Sequence, residues 1–452
     1  MSAAQKSFNI DLKYGKMAGY LEVNIKLNNW VQKYVVLSDS VLHIFADERT
    51  SQKEESLIFI NENTHIDITS PSGNRFRVKS ANQKRVTFRA PSPDVASEWI
   101  LALRAITYAH PSLSIDDFEI VSQVGQGYYG KVRLAKKRDT GEFYAIKSIR
   151  KKLLHDENNV QSVFTERNIL ASCQHPFIVS LYYTFQSPTK FYLCLEFVPG
   201  GDLYRHMNKS GPFSLDEARL YIAEISLALN CLHKLGVVYR DLTPENILID
   251  EQGHIKLTDF GLSKDLRNEK VTTTFCGTNE YLAPEVVINE EYSFPIDFWA
   301  LGIIFYEMLM GTTPFYCANR NKLFKNITDA DVPFTERLDP LAASLIVGLL
   351  LKDPNKRFGF KEIKMHPLFD GLDWNDVEKR QTKPKFIPDS KDPMGLSNFD
   401  KNYTSEVPAD SIATPASGSV GRIPGFSFAK MSLTPSEESS VIPHDLAPYE
   451  TE

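Results

Sequence analysis

The sequence lacks a hydrophobic run long enough to cross a membrane. Its most apolar stretches, residues 300–310 and 344–351, are far shorter than the roughly 20 residues that a transmembrane helix needs, and the first contains Glu307. The N-terminus has no apolar segment typical of a signal peptide, and Ser2 stands where N-myristoylation needs a glycine. We therefore expect a cytoplasmic protein without a transmembrane helix.

Cysteine is also scarce. The chain has 452 residues but five cysteines, none of them in a CxxC pair. Scattered cysteines suit a reducing compartment, give no zinc signal and predict no disulfides. Hydrophobic residues make up 42% of the chain and charged residues 24%, a composition typical of soluble globular proteins. The length predicts two or three domains.

The N-terminal region alternates apolar and polar side chains in several short segments, which is typical of antiparallel strands with one solvent-exposed face. The segments are residues 30–37, 41–47, 75–80 and 85–90. Ser92 and Pro93 then provide a helix start, and an apolar stripe that includes Trp99 follows. The pattern predicts a domain over residues 14–108, in which a meandering sheet is closed by one C-terminal helix.

The rest of the chain is organised differently. Strand patterns surround one helix over residues 118–197, and helical patterns dominate residues 203–369. This predicts a small β-rich lobe on a larger helical lobe, with a cleft between them and a short linker at residues 109–117 in front. Residues 370–431 are expected to form an extended tail that packs on the lobes, and residues 432–452 are expected to be disordered.

A glycine-rich segment opens the second region. Residues 125–132, GQGYYGKV, match G-x-G-x-x-G-x-V between two strand patterns. Glycines let a backbone approach phosphates closely, although such a hairpin alone is as often purely structural. Lys147 follows on a strand and Glu166 on a helix. Because a buried lysine without a partner is costly, we expect these two side chains to pair.

A second group of polar residues lies in the segment 238–248, VYRDLTPENIL, which contains Asp241 and Asn246. Asp259 follows in the strand pattern IKLTDFG. Asn246 and Asp259 would provide oxygen ligands next to the glycine-rich segment that is expected to bind phosphates. This predicts a magnesium site whose remaining ligands come from a nucleotide. Glu285 ends the segment CGTNEYLAPE, and Arg357 is its expected buried partner.

Residues 118–369 resemble a protein kinase catalytic domain, because these motifs follow one another at that family's spacing. TFCGTNEYLAPE and the tail segments NFDKNYT, ATP and IPGFSF are similar to those of the AGC group. The front domain looks like a pleckstrin-homology (PH) domain. Together they resemble the protein kinase B (Akt) family. The resemblance implies a multidomain α+β fold, with a PH β-barrel or sandwich closed by a helix, then a bilobal kinase with an AGC-type tail.

The resemblance also implies a serine/threonine kinase that uses ATP and Mg²⁺. Asp241 would accept or orient the proton of the substrate hydroxyl, and Lys147, aligned by Glu166, would hold the α- and β-phosphates. Asn246 and Asp259 would bind the metal ion. The residues that it assigns to ATP binding are Val124, Gly125, Gln126, Gly127, Tyr128, Tyr129, Gly130, Lys131, Val132, Lys147, Glu196 and Val198, the last two through backbone groups.

Protein substrates and an upstream kinase are the implied partners. Asp202 and Glu245 would recognise arginine in the substrate, although capping of a helix is an alternative role for Asp202. The resemblance assigns phosphorylation sites to Thr274, Thr414 and Ser427. A phosphate on the first could order the activation loop by pairing with a nearby arginine. We expect a monomer and no nucleic-acid partner.

The front domain departs from the phosphoinositide-binding pattern. Of the basic residues that related PH domains use, only Lys33 remains, with Lys26 nearby. Recognition of several phosphates normally needs several directed cations. The sequence therefore leaves two alternatives open: this domain binds a phosphoinositide or an anionic membrane, or it has no lipid site. The short linker predicts that this domain lies close to the small lobe, and we hypothesise that it holds the kinase inactive.

The catalytic loop departs from the family at Thr243, where relatives have a lysine that contacts the γ-phosphate. Losing one such donor would cost on the order of 10²-fold in rate, as for deleted oxyanion-hole donors. Asp241 and Asp259, whose loss would remove the proton acceptor or the metal, are present. The sequence therefore favours an active kinase, and the alternative is a nucleotide-binding pseudokinase that serves as a scaffold.

Overall fold

A computed structural model describes most of the chain. The described residues are 9–11, 16–26, 29–38, 41–47, 56–60, 64–70, 73–80, 85–107, 113–127, 130–154, 157–267, 269–334, 338–388, 392, 394–410 and 426–429. Tyr128, Tyr129, Thr414 and residues 432–452 lie outside them, and so does the side chain of Lys26. Among the helices of the described residues, none combines the length and the apolar character that crossing a membrane requires.

The N-terminal domain is an antiparallel sheet closed by one helix. Its elements are β1 (Asn9–Asp11), β2 (Lys16–Lys26), β3 (Asn29–Ser38), β4 (Val41–Phe45), β5 (Ser56–Phe59), β6 (His65–Ile68), β7 (Arg75–Lys79), β8 (Arg85–Arg89) and α1 (Pro93–Thr107). The strand order is β5-β4-β3-β2-β8-β7-β6, with β1 beside β2. Side chains alternate between the two faces, so Phe76 and Phe88 point inward and meet Trp99 of the helix. The predicted fold of this domain is confirmed.

The second domain has two lobes, whose elements also follow in chain order. Its strands are β9 (Phe118–Gln126), β10 (Gly130–Lys137), β11 (Phe143–Arg150), β12 (Leu181–Gln186), β13 (Lys190–Glu196), β14 (Val237–Val238), β15 (Ile247–Ile249), β16 (Ile255–Leu257), β17 (Lys264–Asp265) and β18 (Phe428–Ala429). Its helices are α2 (Glu157–Ser172), α3 (Leu203–Ser210), α4 (Leu215–Lys234), α5 (Pro284–Val287), α6 (Pro295–Met310), α7 (Arg320–Asp329), α8 (Pro340–Leu349), α9 (Phe360–Lys364), α10 (Trp374–Glu378) and α11 (Lys401–Thr404).

The small lobe is an antiparallel sheet with α2 on one side. The strand order is β18-β12-β13-β11-β10-β9, so a strand from the C-terminal tail completes the edge. Val163 and Phe164 of the helix are buried in the same core as Phe191 and Leu193 of β13. This packing fixes the helix that carries Glu166 against the strands that carry the glycine-rich loop.

The large lobe is helical and surrounds α6, which is buried along almost its whole length. That helix is apolar apart from Asp297 near its start and Glu307 near its end. Two short antiparallel pairs of strands belong to this lobe, the hairpin of β15 with β16 and the pair of β14 with β17. The predicted division into a β-rich lobe and a helical lobe is confirmed.

The two domains meet on the small lobe. Helix α1 of the N-terminal domain contacts β18, and its Glu98 acts electrostatically on Arg167 of α2. Residues 113–117 of the predicted linker are described and include a short 3-10 helix, Ile115–Asp117, that Ser114 caps. The front domain therefore lies close to the small lobe.

Candidate active site

The glycine-rich loop joins β9 to β10 at the roof of the cleft. The Gly127 amide donates to the Gly130 carbonyl oxygen over 2.8 Å, which closes the turn. A Cβ atom at Gly130 would lie 1.6 Å from the Ser148 carbonyl oxygen, so a side chain cannot fit there. The predicted ATP-binding residues of the flanking strands are placed along this turn: Val124, Gly125 and Gln126 on β9, and Lys131 and Val132 on β10.

Lys147 on β11 reaches both lobes. Its Nζ atom lies 2.7 Å from Glu166 Oε1 and 2.8 Å from Asp259 Oδ1. Burial by itself would lower the pKa of Lys147, but the attraction of the two carboxylates raises it. The ammonium group is therefore held in its charged form. The expected Lys147–Glu166 pair is present, and Asp259 is a third member that the sequence did not indicate.

Asp241 is held at the bottom of the cleft. Asn246 Nδ2 donates to Asp241 Oδ2 over 3.0 Å and to its carbonyl oxygen over 2.9 Å. Thr278 Oγ1 donates to Asp241 Oδ1 over 3.3 Å. Burial, followed by repulsion from Asp259, raises the pKa of Asp241, which suits a group that accepts a proton. Sequence reasoning missed the contribution of Thr278.

Asp297 of α6 supports the catalytic loop from below. Its Oδ2 accepts from the Tyr239 amide and its Oδ1 from the Arg240 amide, both over 2.9 Å. The side chain of Asp297 is 1% exposed, and Arg240 has a left-handed backbone with φ of 70°. Hydrogen bonds from two backbone amides to one carboxylate hold that strained turn in place. Sequence reasoning missed Asp297, although an acid near the start of a helix whose only other acid is Glu307 was the available signal.

The hairpin of β15 and β16 brings the predicted metal ligands to one end. Ile247 pairs with Leu257, so Asn246, just before the hairpin, lies beside the chain that leads to Asp259. The Thr258 amide donates to the Asn246 carbonyl oxygen over 3.0 Å. Among the described residues, no group of three histidine, cysteine or acidic side chains could hold a metal by itself. Two protein ligands fit a magnesium ion that a nucleotide also holds.

Asp259 is suited to a cation. Lys147 lowers the pKa of Asp259 and keeps its carboxyl group ionised. Its backbone φ of 54° lies in the left-handed region, and the Gly261 amide donates to its Oδ1 over 3.2 Å. An ionised carboxylate fixed at the mouth of the cleft provides what a magnesium ligand needs.

Thr243 is 3% exposed and lines a small pocket of the large lobe together with Asp241 and Thr278. It precedes a short 3-10 helix, Pro244–Asn246, and its carbonyl oxygen accepts from the Asn246 amide over 3.1 Å. The backbone of the catalytic loop is therefore closed around Thr243. A neutral hydroxyl therefore occupies the position at which the resemblance to protein kinases led us to expect a lysine.

Glu196 and Val198 lie where the two lobes join. The Glu196 amide donates to the Ser180 carbonyl oxygen over 2.8 Å, so any contact of its backbone with adenine would use its carbonyl group. The Glu196 carboxylate pairs with Lys256 over 2.7 Å. From the tail, the ring of Phe399 stacks on Phe197 with the centroids 5.9 Å apart. The tail therefore reaches the junction of the lobes.

Four acidic residues lie below the cleft. Asp202 caps α3 by accepting from the Arg205 amide over 2.8 Å, which is the alternative role that the sequence allowed. Glu245 is exposed and acts electrostatically on both Asp202 and Glu307. Burial, with Glu245 and Glu280 nearby, raises the pKa of Glu307 to about 7. Glu280 and Glu307 were not predicted from the sequence.

Thr274 is exposed in the loop between Asp259 and Glu285. Its surroundings are basic. Arg240 Nη1 donates to the Tyr292 hydroxyl over 3.3 Å, and that hydroxyl donates to the Thr274 carbonyl oxygen over 2.6 Å. Lys264 Nζ donates to Thr272, two residues before it, over 3.2 Å. Arg240 and Lys264 thus each bond to a residue that contacts Thr274, and Lys264 also pairs with Glu269 over 2.7 Å.

Ser427 lies beside a docked segment of the tail. The neighbouring Phe426 is fully buried, with its ring centroid 4.4 Å from that of Phe191 and 5.5 Å from that of Phe164. Thr184 donates to the Phe426 carbonyl oxygen. The tail therefore packs on α2 and the small-lobe sheet at this point.

Two remaining predictions concern paired or basic residues. Glu285 and Arg357 form a buried pair, with Arg357 Nη1 2.7 Å from Oε1 and Nη2 2.9 Å from Oε2. Lys33 lies on β3, opposite Leu21 of β2. The side chain of Lys26, its expected companion at a lipid site, is not described.

Two protein families match the chain. The protein kinase domain family matches residues 118–369, which is more than half of the 452 residues, and the PH domain family matches residues 15–108. The match to the first family covers both lobes, including the glycine-rich loop and the buried pair of Glu285 and Arg357.

Curated relatives match about two thirds of the chain or slightly more. The chain is 44% identical over 304 residues to the serine/threonine-protein kinase gad8 of Schizosaccharomyces pombe, and 45% identical over 304 residues to the serine/threonine-protein kinase YPK1 of Saccharomyces cerevisiae. Each match covers 66% of this chain but only 53% of gad8 and 45% of YPK1, so the chain spans about half of their length. It is 41% identical over 334 residues to the serine/threonine-protein kinase Sgk2 of Rattus norvegicus, covering 71% of this chain and 91% of that protein.

Proposed function

The chain belongs to the protein kinase family and has a PH domain in front of its catalytic domain. We propose on this premise that it is an ATP-dependent serine/threonine kinase that acts on arginine-containing proteins. The observation that carries the proposal is the contact of Lys147 with both Glu166 and Asp259, because it joins the two lobes around the cleft. The same contact is expected when a kinase is ready to bind a nucleotide.

Each side chain of the site has a role in phosphoryl transfer. Lys147 would hold the phosphates, and Asn246 and Asp259 would hold a magnesium ion, which would supply positive charge against the transferred phosphoryl group. Asp241 accepts or orients the proton of the substrate hydroxyl and is itself fixed by Asn246 and Thr278. The raised pKa of Asp241 moves its proton affinity toward the working range of a general base.

The acidic floor of the cleft supports a basic substrate. Glu245 is exposed, and Glu245 and Glu280 both act electrostatically on Glu307. Guanidinium groups pair well with carboxylates, so a peptide with arginine near its target residue would be held here. Asp202 caps a helix at the same place, and its other oxygen lies 3.8 Å from Arg205 Nε, so its charge is already partly matched within the fold.

Phosphorylation and the front domain are the proposed means of regulation. A phosphate on Thr274 would be held by Arg240 and Lys264, which already bond to the residues around it. A phosphate on Ser427 would act on the docking of Phe426, and Thr414 is a further proposed site. The PH domain would recruit the kinase to an anionic membrane if Lys33 and its neighbours bind a phosphoinositide headgroup.

The direct test is transfer of labelled phosphate from ATP-Mg²⁺ to an arginine-rich peptide. The full chain should phosphorylate serine or threonine in the peptide, and Asp241→Ala should lower the rate by about 10²-fold to 10⁴-fold, the usual contribution of a general base. Equal background rates for both proteins would contradict the proposal and favour the pseudokinase alternative. The relatives named above are kinases, which gives that alternative no support.

A further inference from the structure

Two cysteines from different lobes meet behind the active site. Cys173 follows the last residue of α2, and its amide donates to the Ile169 carbonyl oxygen over 2.9 Å. Cys231 lies in the last turn of α4, in the large lobe. Their sulfur atoms are 3.7 Å apart, which is thiol contact, and the two residues are 58 positions apart in the sequence. The spacing of the cysteines could not indicate this contact.

The two thiols have unequal surroundings. Cys173 is 3% exposed, and its contact with Cys231 together with burial raises the pKa of its thiol. Cys231 is partly exposed, and the hydrogen bond with Cys173, helped by Lys234, lowers its pKa, while burial and, to a smaller extent, Glu378 of α10 act in the opposite direction. Such a difference is typical of a pair in which one sulfur meets an oxidant and a second sulfur resolves the product.

The other three cysteines offer no comparable arrangement. Cys194 is fully buried in β13, and Cys276 and Cys317 are partly exposed in the large lobe. All five cysteines lie in the described part of the chain, and within it these three make no sulfur–sulfur contact. An oxidant that reaches this protein therefore finds one pair in which a second thiol is already in place.

We propose that Cys173 and Cys231 form a reversible oxidation site, at which hydrogen peroxide produces a disulfide between the end of α2 and the end of α4. In the first step the Cys231 sulfur attacks the peroxide, the O–O bond breaks, and Cys231 becomes a sulfenic acid as one water leaves. In the second step the Cys173 sulfur attacks the Cys231 sulfur, and the thiol proton leaves with the hydroxyl group as a second water. Two thiols are oxidised, and one peroxide is reduced to two waters.

The contact allows this bond with little movement. The sulfur atoms must approach from 3.7 Å to about 2.05 Å, the length of a disulfide. One of the two residues lies just beyond the helix end, outside regular structure, where a small shift of backbone and side chain is tolerated. Transient disulfides of this kind also occur in reducing compartments.

The cross-link would join two elements that serve the catalytic cleft. Helix α2 carries Glu166, the partner of Lys147, and α4 leads through β14 into the segment of Asp241. The bond would close a 58-residue loop, which constrains the unfolded chain and should raise the thermal midpoint of unfolding. It would also limit movement of α2 relative to the large lobe.

The test is peptide mapping of the full chain after treatment with hydrogen peroxide. The protein is oxidised under native conditions, its free thiols are alkylated in denaturant, and it is digested without reductant for mass spectrometry. The expected product is one cross-linked pair of peptides that contain Cys173 and Cys231 and that separate on reduction. The oxidised full chain should also unfold at a higher temperature than the same sample after reduction.

Single variants define the order of the steps. Cys173→Ala should stop at a sulfenic acid on Cys231 that dimedone traps, and Cys231→Ala should leave Cys173 as a thiol. Cys317→Ala is the matched control, since Cys317 is also partly exposed, and it should form the cross-link as the unaltered chain does. The proposal is overturned if the unaltered chain oxidises Cys231 to a sulfinic acid while Cys173 stays reduced, or if Cys231 joins Cys276 or Cys317 as often as Cys173. These readouts do not depend on kinase activity.

Discussion

The charged residues of the catalytic cleft and those of the PH domain are held in different ways. In the cleft, Lys147 lies between Glu166 and Asp259, and the three groups converge on one point. On the PH domain, Arg89 stacks 4.1 Å above the Trp30 ring and pairs with Glu22 over 3.0 Å, so its charge is already matched within the fold. The first arrangement is suited to a charged ligand, whereas the second mainly supports the domain surface.

Burial separates the two regions further. Repulsion by Asp259 adds to burial in raising the pKa of Asp241. Two carboxylates therefore repel each other in the cleft, and a bound cation would offset their negative charge. The side chains of Arg89 and Glu22 are 30% and 41% exposed, and water screens them. Electrostatic contacts should therefore matter much more in the kinase domain than in the PH domain.

The largest expected effect of this difference is on stability. Glu285→Ala leaves the fully buried Arg357 without its partner, so the free energy of unfolding should fall by about 3–5 kcal/mol. Chemical denaturation of the full chain, followed by intrinsic fluorescence, measures the loss. The matched control is Glu22→Ala in the PH domain, where the loss should be about 0–1 kcal/mol after allowance for solvent screening. Equal losses in the two variants would contradict the proposed difference between the regions.

The next effect concerns the one cation that the catalytic loop lacks. Thr243→Lys should raise the turnover number by on the order of 10²-fold, because it would restore a donor to the γ-phosphate. Steady-state kinetics with ATP-Mg²⁺ and an arginine-rich peptide provide the measurement. Thr243→Ser keeps the hydroxyl group and should leave turnover unchanged. If Thr243→Lys has the same or lower turnover, the buried threonine is an adaptation of this cleft and not a handicap.

The sequence predicted the fold and most of the kinase cleft because the chemistry of that site fixes residue types at fixed spacings. The pairs of Lys147 with Glu166 and of Glu285 with Arg357 are examples, since a buried charge needs an opposite charge nearby. Asp297 was missed because its role is to bind amides of a distant loop, which depends on how α6 crosses beneath that loop.

The PH domain was harder to interpret for a related reason. Its strands could be predicted from alternation, but the partners of its surface charges depend on register, as in the stacking of Arg89 of β8 on Trp30 of β3 across the intervening strand β2. The contact between Cys173 and Cys231 could not be predicted either, because it joins two lobes whose packing no local pattern describes. Local patterns specify elements, whereas contacts between elements require the fold.

A smaller effect is expected from the acidic floor of the cleft when the pH changes. Glu307 has a pKa of about 7, so its carboxylate is ionised above that pH and gains a proton as the pH falls through it. Attraction for arginine should weaken accordingly, and KM for the basic peptide should rise by about tenfold from about pH 8 to about pH 6, the loss of one charge-assisted contact. Glu307→Gln should have a high KM throughout this range. If the pH dependence of KM is the same in Glu307→Gln as in the unaltered chain, a group other than Glu307 is responsible for it.

The smallest expected effect is that of the PH domain on the kinase. Helix α1 contacts β18, and Glu98 faces Arg167 beside Glu166, so the front domain touches the elements that position α2. Since the Lys147–Glu166 pair is already formed, deletion of residues 1–110 should raise the rate by only about fivefold, the lower end of usual coupling between sites. Glu98→Ala, which keeps the domain, should raise it by less. A folded deletion protein with an unchanged or lower rate would mean that the PH domain supports the docked tail and does not restrain the kinase.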